Sequence, residues 1–139
     1  MEKTAGHTLS LGHLTLPTQH VDRTVEFFEQ TLGCTRDPVP ANVPDQTVWL
    51  NIGRGQSMHV FFVKDFAVSP FEGEFGRHVA LFYELSEFPA LKQRLEVRGA
   101  VLFDAERATP FERFFFREPV NGYVLEVIDR TRANLAGTP

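Results

Sequence analysis

Four side chains that can bind a metal ion or transfer a proton recur at matching places along the chain. His13 and His78 each lie in a short run of strand-forming residues. A later strand follows each of them, and it carries His59 in the first case and Glu126 in the second. The separations are similar, 46 residues for the first pair and 48 for the second. This spacing indicates an internal repeat in which His13 corresponds to His78 and His59 corresponds to Glu126.

Two histidines and one carboxylate form a ligand set that suits a divalent metal. His13, His78 and Glu126 would bind Fe, Ni, Zn, Co or Mn and leave open positions for water and a substrate. Glu126 shares a strand face with Val124 and Ile128. A carboxylate on such an apolar strand is unfavourable unless it is paired or coordinated. We therefore expect a metal at these three residues, polarising an oxygen of a small-molecule substrate.

His59 is open to three interpretations. It is a fourth metal ligand, a general base that works beside Glu126 in catalysis, or a packed strand residue. Taken singly, a strand histidine is more often partly buried and hydrogen-bonded than a ligand, and a strand glutamate usually faces solvent. The coincidence of these residue types within a repeat is what favours a site.

The first half of the chain has the periodicity of one strand, one helix and further strands. Apolar residues at helical spacing run from Val21 to Leu32, and Gly33 follows where a helix-ending glycine belongs. The predicted strands of this half cover Leu9–Leu16, about Cys34–Val39, Thr47–Ile52 and Ser57–Val63, with a turn at residues 53–56.

The second half repeats this order after a linker at Ser69–Gly76. A helix with Phe88, Leu91 and Leu95 on one face is expected to begin at an N-cap Ser86 and to end at Gly99. The predicted strands are His78–Leu85, Phe111–Arg117 and Tyr123–Ile128, with a hairpin turn at Asn121-Gly122 between the last two.

Each half is thus predicted to be a βαβββ module, in the α+β class. One module leaves a sheet face uncovered, and two can pair into a curved mixed sheet around a metal-binding cavity. We expect a single domain over residues 8–130, with modules at about 8–66 and 77–130. The polar tails, Met1–Gly6 and Arg132–Pro139, are expected to fray.

The composition limits the partners. The chain has 139 residues, a net charge of −4 and no basic run, which argues against nucleic acid. No stretch is apolar enough for a membrane span or a signal peptide, and Cys34 is the only cysteine, so a cytoplasmic location is expected. Fourteen Phe residues are explained mostly by an aromatic core, and an aromatic-lined cavity is the alternative interpretation.

The remaining candidates carry weaker signals. His7 falls in the N-terminal tail and His20 near the start of the first helix, while Cys34 is expected to be a small apolar residue rather than a nucleophile. Arg113 and Arg117 flank three Phe residues and could reach an anionic substrate, although a solvated strand face is the simpler interpretation.

Several segments resemble the glyoxalase/bleomycin-resistance/dioxygenase family, also called vicinal oxygen chelate proteins. In the first half these are Gly12-His13-Leu14-Thr15-Leu16, residues 22–28, Thr31-Leu32-Gly33 and Met58-His59-Val60-Phe61. In the second half they are His78-Val79-Ala80-Leu81 and residues 117–127, the most specific segment. The resemblance covers about residues 8–130.

This resemblance implies paired βαβββ modules, often in a homodimer whose sites form within one subunit or across two. It places the ligands at His13, His78 and Glu126, with His59 at an optional fourth position. The implied activity is metal-dependent stabilisation of an oxyanion or enediolate, in a lyase or isomerase.

Two other functions of the family stay open as alternatives. One is a metal-free, drug-sequestering protein of the bleomycin-resistance type, which the many Phe residues favour. The other is an Fe(II) extradiol dioxygenase, although such enzymes usually have a tyrosine where this chain has Phe114-Phe115-Phe116. True glyoxalase I usually has a carboxylate at the position of His59, and fosfomycin-type thiol transferases have basic residues that find no match.

Overall fold

The computed structural model describes residues 8–131, which fall into two compact units. Unit 1 runs to Glu29 and resumes at Gly33–Phe66, and unit 2 comprises Gln30–Leu32 and the chain from Ala67 onward. His7 and the two tails lie outside the described residues. Among the described residues, no helix is long and apolar enough to cross a membrane.

Unit 1 has the predicted βαβββ order. Its elements are β1 (His13–Thr18), α1 (Val21–Thr31), β2 (Thr35–Asp37), β3 (Thr47–Gly53) and β4 (Gln56–Phe62). The four strands form one mixed sheet in the order β1-β4-β3-β2, in which only β1 and β4 are parallel. One sheet face is buried through Leu16, Leu50, Met58 and Val60, and α1 adds Val21, Val25 and Phe28 to this core.

Unit 2 repeats the same topology. Its elements are β5 (Val79–Tyr83), a short 3₁₀ turn at Leu85–Glu87, α2 (Phe88–Val97), β6 (Val101–Asp104), β7 (Arg113–Arg117) and β8 (Val124–Asp129). The sheet order is β5-β8-β7-β6, with β5 and β8 parallel. The core contains the predicted helix residues Phe88, Leu91 and Leu95 with Phe114, Phe116, Leu125 and Val127. The prediction of two βαβββ modules is confirmed.

Both helices end just before the predicted glycines, at Thr31 and Val97. Gly33 and Gly99 have φ angles of +79° and +93°, a left-handed conformation that side-chain-bearing residues rarely adopt. Each glycine therefore turns the chain from a helix into the next strand, and the repeat is visible in the backbone as well as in the sequence.

Two local predictions were wrong. The first strand starts at His13 rather than Leu9, and Leu9 and Leu11 are 76% and 57% exposed. β4 pairs with β1 only from Ser57 onward, so earlier residues have no ladder to join. Ser86 is not the N-cap of α2, because the 3₁₀ turn places Glu87 there, and Pro89 supplies the favoured fixed φ of the first helical turn. The strand β6 is also present, although no range was predicted for it.

The predicted linker is bound to unit 2 by buried carboxylates. Both carboxylate oxygens of Glu72 accept a hydrogen bond from Arg77, at 3.1 and 3.0 Å, and one also accepts the Val124 backbone N–H at 2.8 Å. The Glu72 side chain is only 2% exposed. This segment is therefore a built part of unit 2, and it precedes the candidate ligand His78.

Glu118 closes the hairpin that leads into β8. Its carboxylate is fully buried and accepts hydrogen bonds from the backbone N–H groups of four consecutive residues, Val120, Asn121, Gly122 and Tyr123. The buried carboxylate thus accepts the N–H groups that converge in the tight turn, and the Gly122 N–H also donates to the Glu118 backbone oxygen at 3.1 Å.

We expect Glu118→Gln to lower the free energy of unfolding by about 2 kcal/mol, because hydrogen bonds to a buried charge are replaced by weaker neutral ones. Urea denaturation followed by far-UV circular dichroism measures this. Glu112→Gln, at an exposed position just before β7 and away from the turn, is the control and should leave the midpoint unchanged. Equal midpoints for the two variants would contradict this role of Glu118.

Candidate functional site

Unit 1 contributes a stack of three aromatic rings on one sheet face. His59 of β4 lies between His13 and Trp49, with ring centroids 3.9 Å and 4.1 Å away and interplanar angles of 12° and 2°. The register produces this stack, because Trp49 on β3 is the direct cross-strand partner of His59. His13, at the start of the neighbouring strand β1, is exposed, whereas His59 and Trp49 are half-buried. The two unit 1 histidines predicted for the site therefore do lie together.

The stack keeps His59 in its neutral form. Burial, together with the neighbouring His13 ring, lowers the pKa of His59 below its ordinary value of 6.5. The Ser57 hydroxyl lies 3.0 Å from Nε2 of His59 and engages that ring nitrogen. A neutral, oriented imidazole on an open sheet face can accept a proton or donate a lone pair to a metal.

Unit 2 brings His78 and Glu126 into direct contact. Glu126 lies in the middle of β8 and is 6% exposed, while His78 precedes β5, the strand that pairs with β8. Nε2 of His78 lies 3.1 Å from Oε1 of Glu126. Nδ1 of His78 lies 3.0 Å from the Gly73 carbonyl oxygen in the linker. Two residues that were predicted as ligands from distant parts of the sequence are thus neighbours.

The Gly73 contact determines which nitrogen of His78 carries the hydrogen. A carbonyl oxygen only accepts, so Nδ1 of His78 is the donor, and in a neutral ring Nε2 then has a lone pair. That lone pair points at Oε1 of Glu126, which is also an acceptor. Two acceptors 3.1 Å apart are satisfied by a proton on either atom or by a metal ion.

The spacing and chemistry of this pair fit a metal. Imidazole and carboxylate ligands lie about 2.1 Å from a first-row divalent ion, so two that are at right angles are about 3 Å apart. A backbone carbonyl behind the distal nitrogen is the usual support of a ligand histidine. Within either unit, over residues 8–131, no three His, Cys, Asp or Glu side chains group closely enough to hold a metal.

Arg113 holds the other oxygen of Glu126. Its Nη1 donates to Oε2 of Glu126 at 2.8 Å and its Nη2 donates to Glu74 at 3.1 Å. The Arg113 side chain is 3% exposed, so the prediction of a solvated strand face was wrong for this residue. That interpretation holds for Arg117, which is exposed and donates to backbone oxygens.

Glu74 is the residue of this network that the sequence did not reveal. Burial opposes its charged form, but the backbone N–H groups of Glu106 and Arg107 and the Arg113 guanidinium outweigh it and hold the pKa of Glu74 below its usual range. Glu74 lies in the linker, where nothing in the pattern of residues distinguishes it from a surface charge. Its contact with Arg113 is a product of tertiary structure.

Aromatic side chains border the carboxylate. Phe115 of β7 is the cross-strand partner of Glu126 and stacks on Phe103 of β6, with centroids 5.3 Å apart. The His78 ring meets Phe115 edge-on at 5.1 Å. Phe115 is fully buried, so these rings lower the local dielectric beside the ligand pair.

Cys34 and His20 stand apart from this chemistry. Burial raises the pKa of the Cys34 thiol to about 11, which leaves almost no nucleophilic thiolate at neutral pH, as the sequence indicated. His20 is exposed beside α1, and its backbone oxygen accepts hydrogen bonds from Thr24.

The comparison with protein families identifies the chain. Residues 10–127 match the model of the Glyoxalase/Bleomycin resistance protein/Dioxygenase superfamily, so the chain belongs to this superfamily. A search of curated proteins finds no match.

Solved structures show the same fold at low sequence identity. The fosfomycin resistance protein FosX from Listeria monocytogenes is 13% identical, with a TM-score of 0.72 over 93% of this chain and 98% of that one. FosX from Mesorhizobium loti is 14% identical, with a TM-score of 0.66 over 92% and 98%. A possible glyoxalase from Bacillus cereus is 20% identical, with a TM-score of 0.63 over 87% and 99%.

The fluorescence of Trp49, the only tryptophan, should report protonation of His59. An imidazolium stacked on an excited indole accepts charge from it, so we expect quenching as the pH falls. The midpoint should lie below 6.5, because the folded protein disfavours the protonated ring. His59→Gln should abolish this transition and the exposed-site control His20→Gln should retain it. A transition that survives His59→Gln would contradict the assignment.

Proposed function

We propose that this protein is a metal-dependent enzyme of its superfamily that acts on a small oxygen-bearing molecule. A divalent cation would be held by His78 and Glu126, with His13 as the third ligand and His59 as a fourth ligand or a base. The observation that carries the proposal is the pair of facing acceptors, Nε2 of His78 and Oε1 of Glu126, at 3.1 Å.

The bound cation would act as a Lewis acid that stabilises negative charge on a substrate oxygen. The chain's own residues supply the remainder of the chemistry. Gly73 keeps the His78 ring in one tautomer, and the Phe103–Phe115 wall excludes water beside Glu126. His59, neutral at pH 7 because its pKa is lowered, is the residue that can take a proton from a substrate carbon. Proton transfer next to a stabilised oxyanion or enediolate corresponds to a lyase or isomerase reaction.

The relatives support the use of a metal. A variant of the Listeria FosX protein was crystallised with Mn(II) and 1S,2S-dihydroxypropylphosphonic acid. Because the two sequences share so little identity, the similarity to FosX concerns the fold. The support for a metal in this chain is its own pair of facing acceptors, Nε2 of His78 and Oε1 of Glu126. Fe, Ni, Zn, Co and Mn are all compatible with imidazole and carboxylate donors.

A metal-free binding protein is the second candidate, and one observation favours it. If Nε2 of His78 is protonated, the imidazolium donates to Oε1 of Glu126 and the network is satisfied without a metal. The exposed His13 ring and the half-buried rings of His59 and Trp49 would then serve as a surface for a flat drug-like molecule. The dioxygenase alternative gains no such support, because the residue beside Glu126 on β7 is Phe115, which has no hydroxyl group.

We also propose that the protein is a cytoplasmic homodimer. A single, half-buried cysteine without a disulfide partner in the sequence suits a reducing compartment. A symmetric pair of chains would offer two equivalent copies of each unit, so that unit 1 of either chain could supply His13.

Metal binding by the purified protein tests the main proposal. We expect one Co, Ni, Mn, Fe or Zn ion per chain by plasma mass spectrometry after tag-free purification and reconstitution. His13→Ala, His78→Ala and Glu126→Gln should each weaken binding at least about tenfold, since each removes one ligand. The exposed-site controls His20→Ala and Glu112→Gln should bind as the wild type does. No uptake by the folded wild type would reject the metal enzyme and leave the binding protein.

Mixing of variants identifies the chain that supplies His13. If one site takes ligands from two chains, unfolding and refolding a mixture of His13→Ala and His78→Ala should restore metal at one of the two sites of each mixed dimer, while dimers of two identical variant chains stay without an intact site. Metal analysis and isothermal titration of the refolded mixture measure this. A mixture that binds no more than the separate variants would assign all three ligands to one chain.

A further inference from the structure

Arg113 is a buried cation, and each of its three guanidinium nitrogens donates a hydrogen bond. Beyond Glu126 and Glu74, its Nε donates to the Thr109 hydroxyl at 3.3 Å and its Nη2 also donates to the Arg107 carbonyl oxygen. Its guanidinium lies 5.6 Å from the centroid of the Phe115 ring. A guanidinium with this many fixed partners does not swing toward a substrate.

The loop before β7 fixes Arg113 from the far side. Glu74 accepts the backbone N–H groups of Glu106 and Arg107, at 2.7 and 3.1 Å, and its side chain is 9% exposed. Because Glu74 is itself anchored, it determines where the guanidinium of Arg113 lies. The order of contacts runs from the loop backbone through Glu74 and Arg113 to Oε2 of Glu126.

This order leaves Oε1 as the oxygen of Glu126 that Arg113 does not engage. Oε2 accepts a charge-assisted hydrogen bond at 2.8 Å, whereas Oε1 faces Nε2 of His78 at 3.1 Å. A carboxylate with one oxygen held in this way is suited to bind a cation through the other oxygen alone. Single-oxygen binding keeps more positions open for the two oxygens of a chelating substrate.

We propose that Arg113, held in place by Glu74, is a positioning residue that restricts Glu126 to a single metal-binding oxygen and weakens the attraction of this carboxylate for the cation. This inference rests on the proposed metal site. It extends that site to two residues that make no contact with the metal in the proposal, one from the linker and one from β7.

The two residues should have opposite effects on metal affinity. Arg113 brings a positive charge close to the cation and engages part of the Glu126 charge, so Arg113→Met should tighten Co(II) binding about tenfold. Glu74→Gln removes the counter-charge of Arg113 and leaves its positive charge directed at Glu126, so it should weaken Co(II) binding by about the same factor. A network that only maintained the fold would weaken binding in both variants.

Isothermal titration with Co(II) and the visible spectrum of the bound Co(II) give the two readouts. The visible bands of Co(II) lose intensity as its coordination number rises, so Arg113→Met should show weaker absorption as Glu126 becomes bidentate. Arg117→Met, at an exposed position on the same strand, and Glu112→Gln are the matched controls and should keep the wild-type affinity and spectrum.

Arg113→Lys replaces Arg113→Met if that variant does not fold. It keeps the positive charge but lacks the planar guanidinium that contacts two carboxylates at once. It should shift the Co(II) spectrum in the same direction as Arg113→Met. A wild-type spectrum in the Arg113 variants, or weaker binding in both Arg113→Met and Glu74→Gln, would overturn the positioning role. Wild-type protein that binds no Co(II) would instead reject the metal site itself.

Discussion

A carboxylate buried in the middle of a β-sheet is the constraint on which the chemistry of this protein depends. Glu126 has apolar neighbours on β8 and little contact with water, so its charge must be met by specific partners. One oxygen meets Arg113 and the other meets a ring nitrogen of His78. The tautomer imposed by Gly73 makes the second of these contacts incomplete without a proton or a metal ion.

Unit 2 contains further buried carboxylates, and backbone N–H or guanidinium groups donate hydrogen bonds to each of them. Glu72, Glu74 and Glu118 are largely or fully buried, and each accepts N–H groups from a loop or a strand end. These carboxylates connect the linker, the loop before β7 and the hairpin before β8 to one sheet. The candidate ligands in this unit therefore stand on a support that is rigid because its charges are satisfied.

Unit 1 contributes a different kind of surface. Its sheet presents stacked rings instead of carboxylates, with His59 enclosed between His13 and Trp49 and His13 left exposed. The repeat has thus diverged in chemistry while keeping its topology. One copy offers an oriented carboxylate–histidine pair, and the other offers stacked imidazoles.

The sequence by itself determined the repeat, the superfamily and the candidate ligands. Helical spacing, the glycines at positions 33 and 99 and the Asn121-Gly122 turn act through local backbone preferences, which a linear pattern records. Arg113 and Trp49 could have been placed from the sequence, because hairpin register and alternation put them on the faces of Glu126 and His59. The first residue of β1 could not be predicted from the sequence, because it depends on where β4 begins to pair with β1. The Glu74–Arg113–Glu126 network and the tautomer of His78 were likewise decided only by tertiary structure, since they arise from contacts between segments far apart in the chain, and no local preference encodes them.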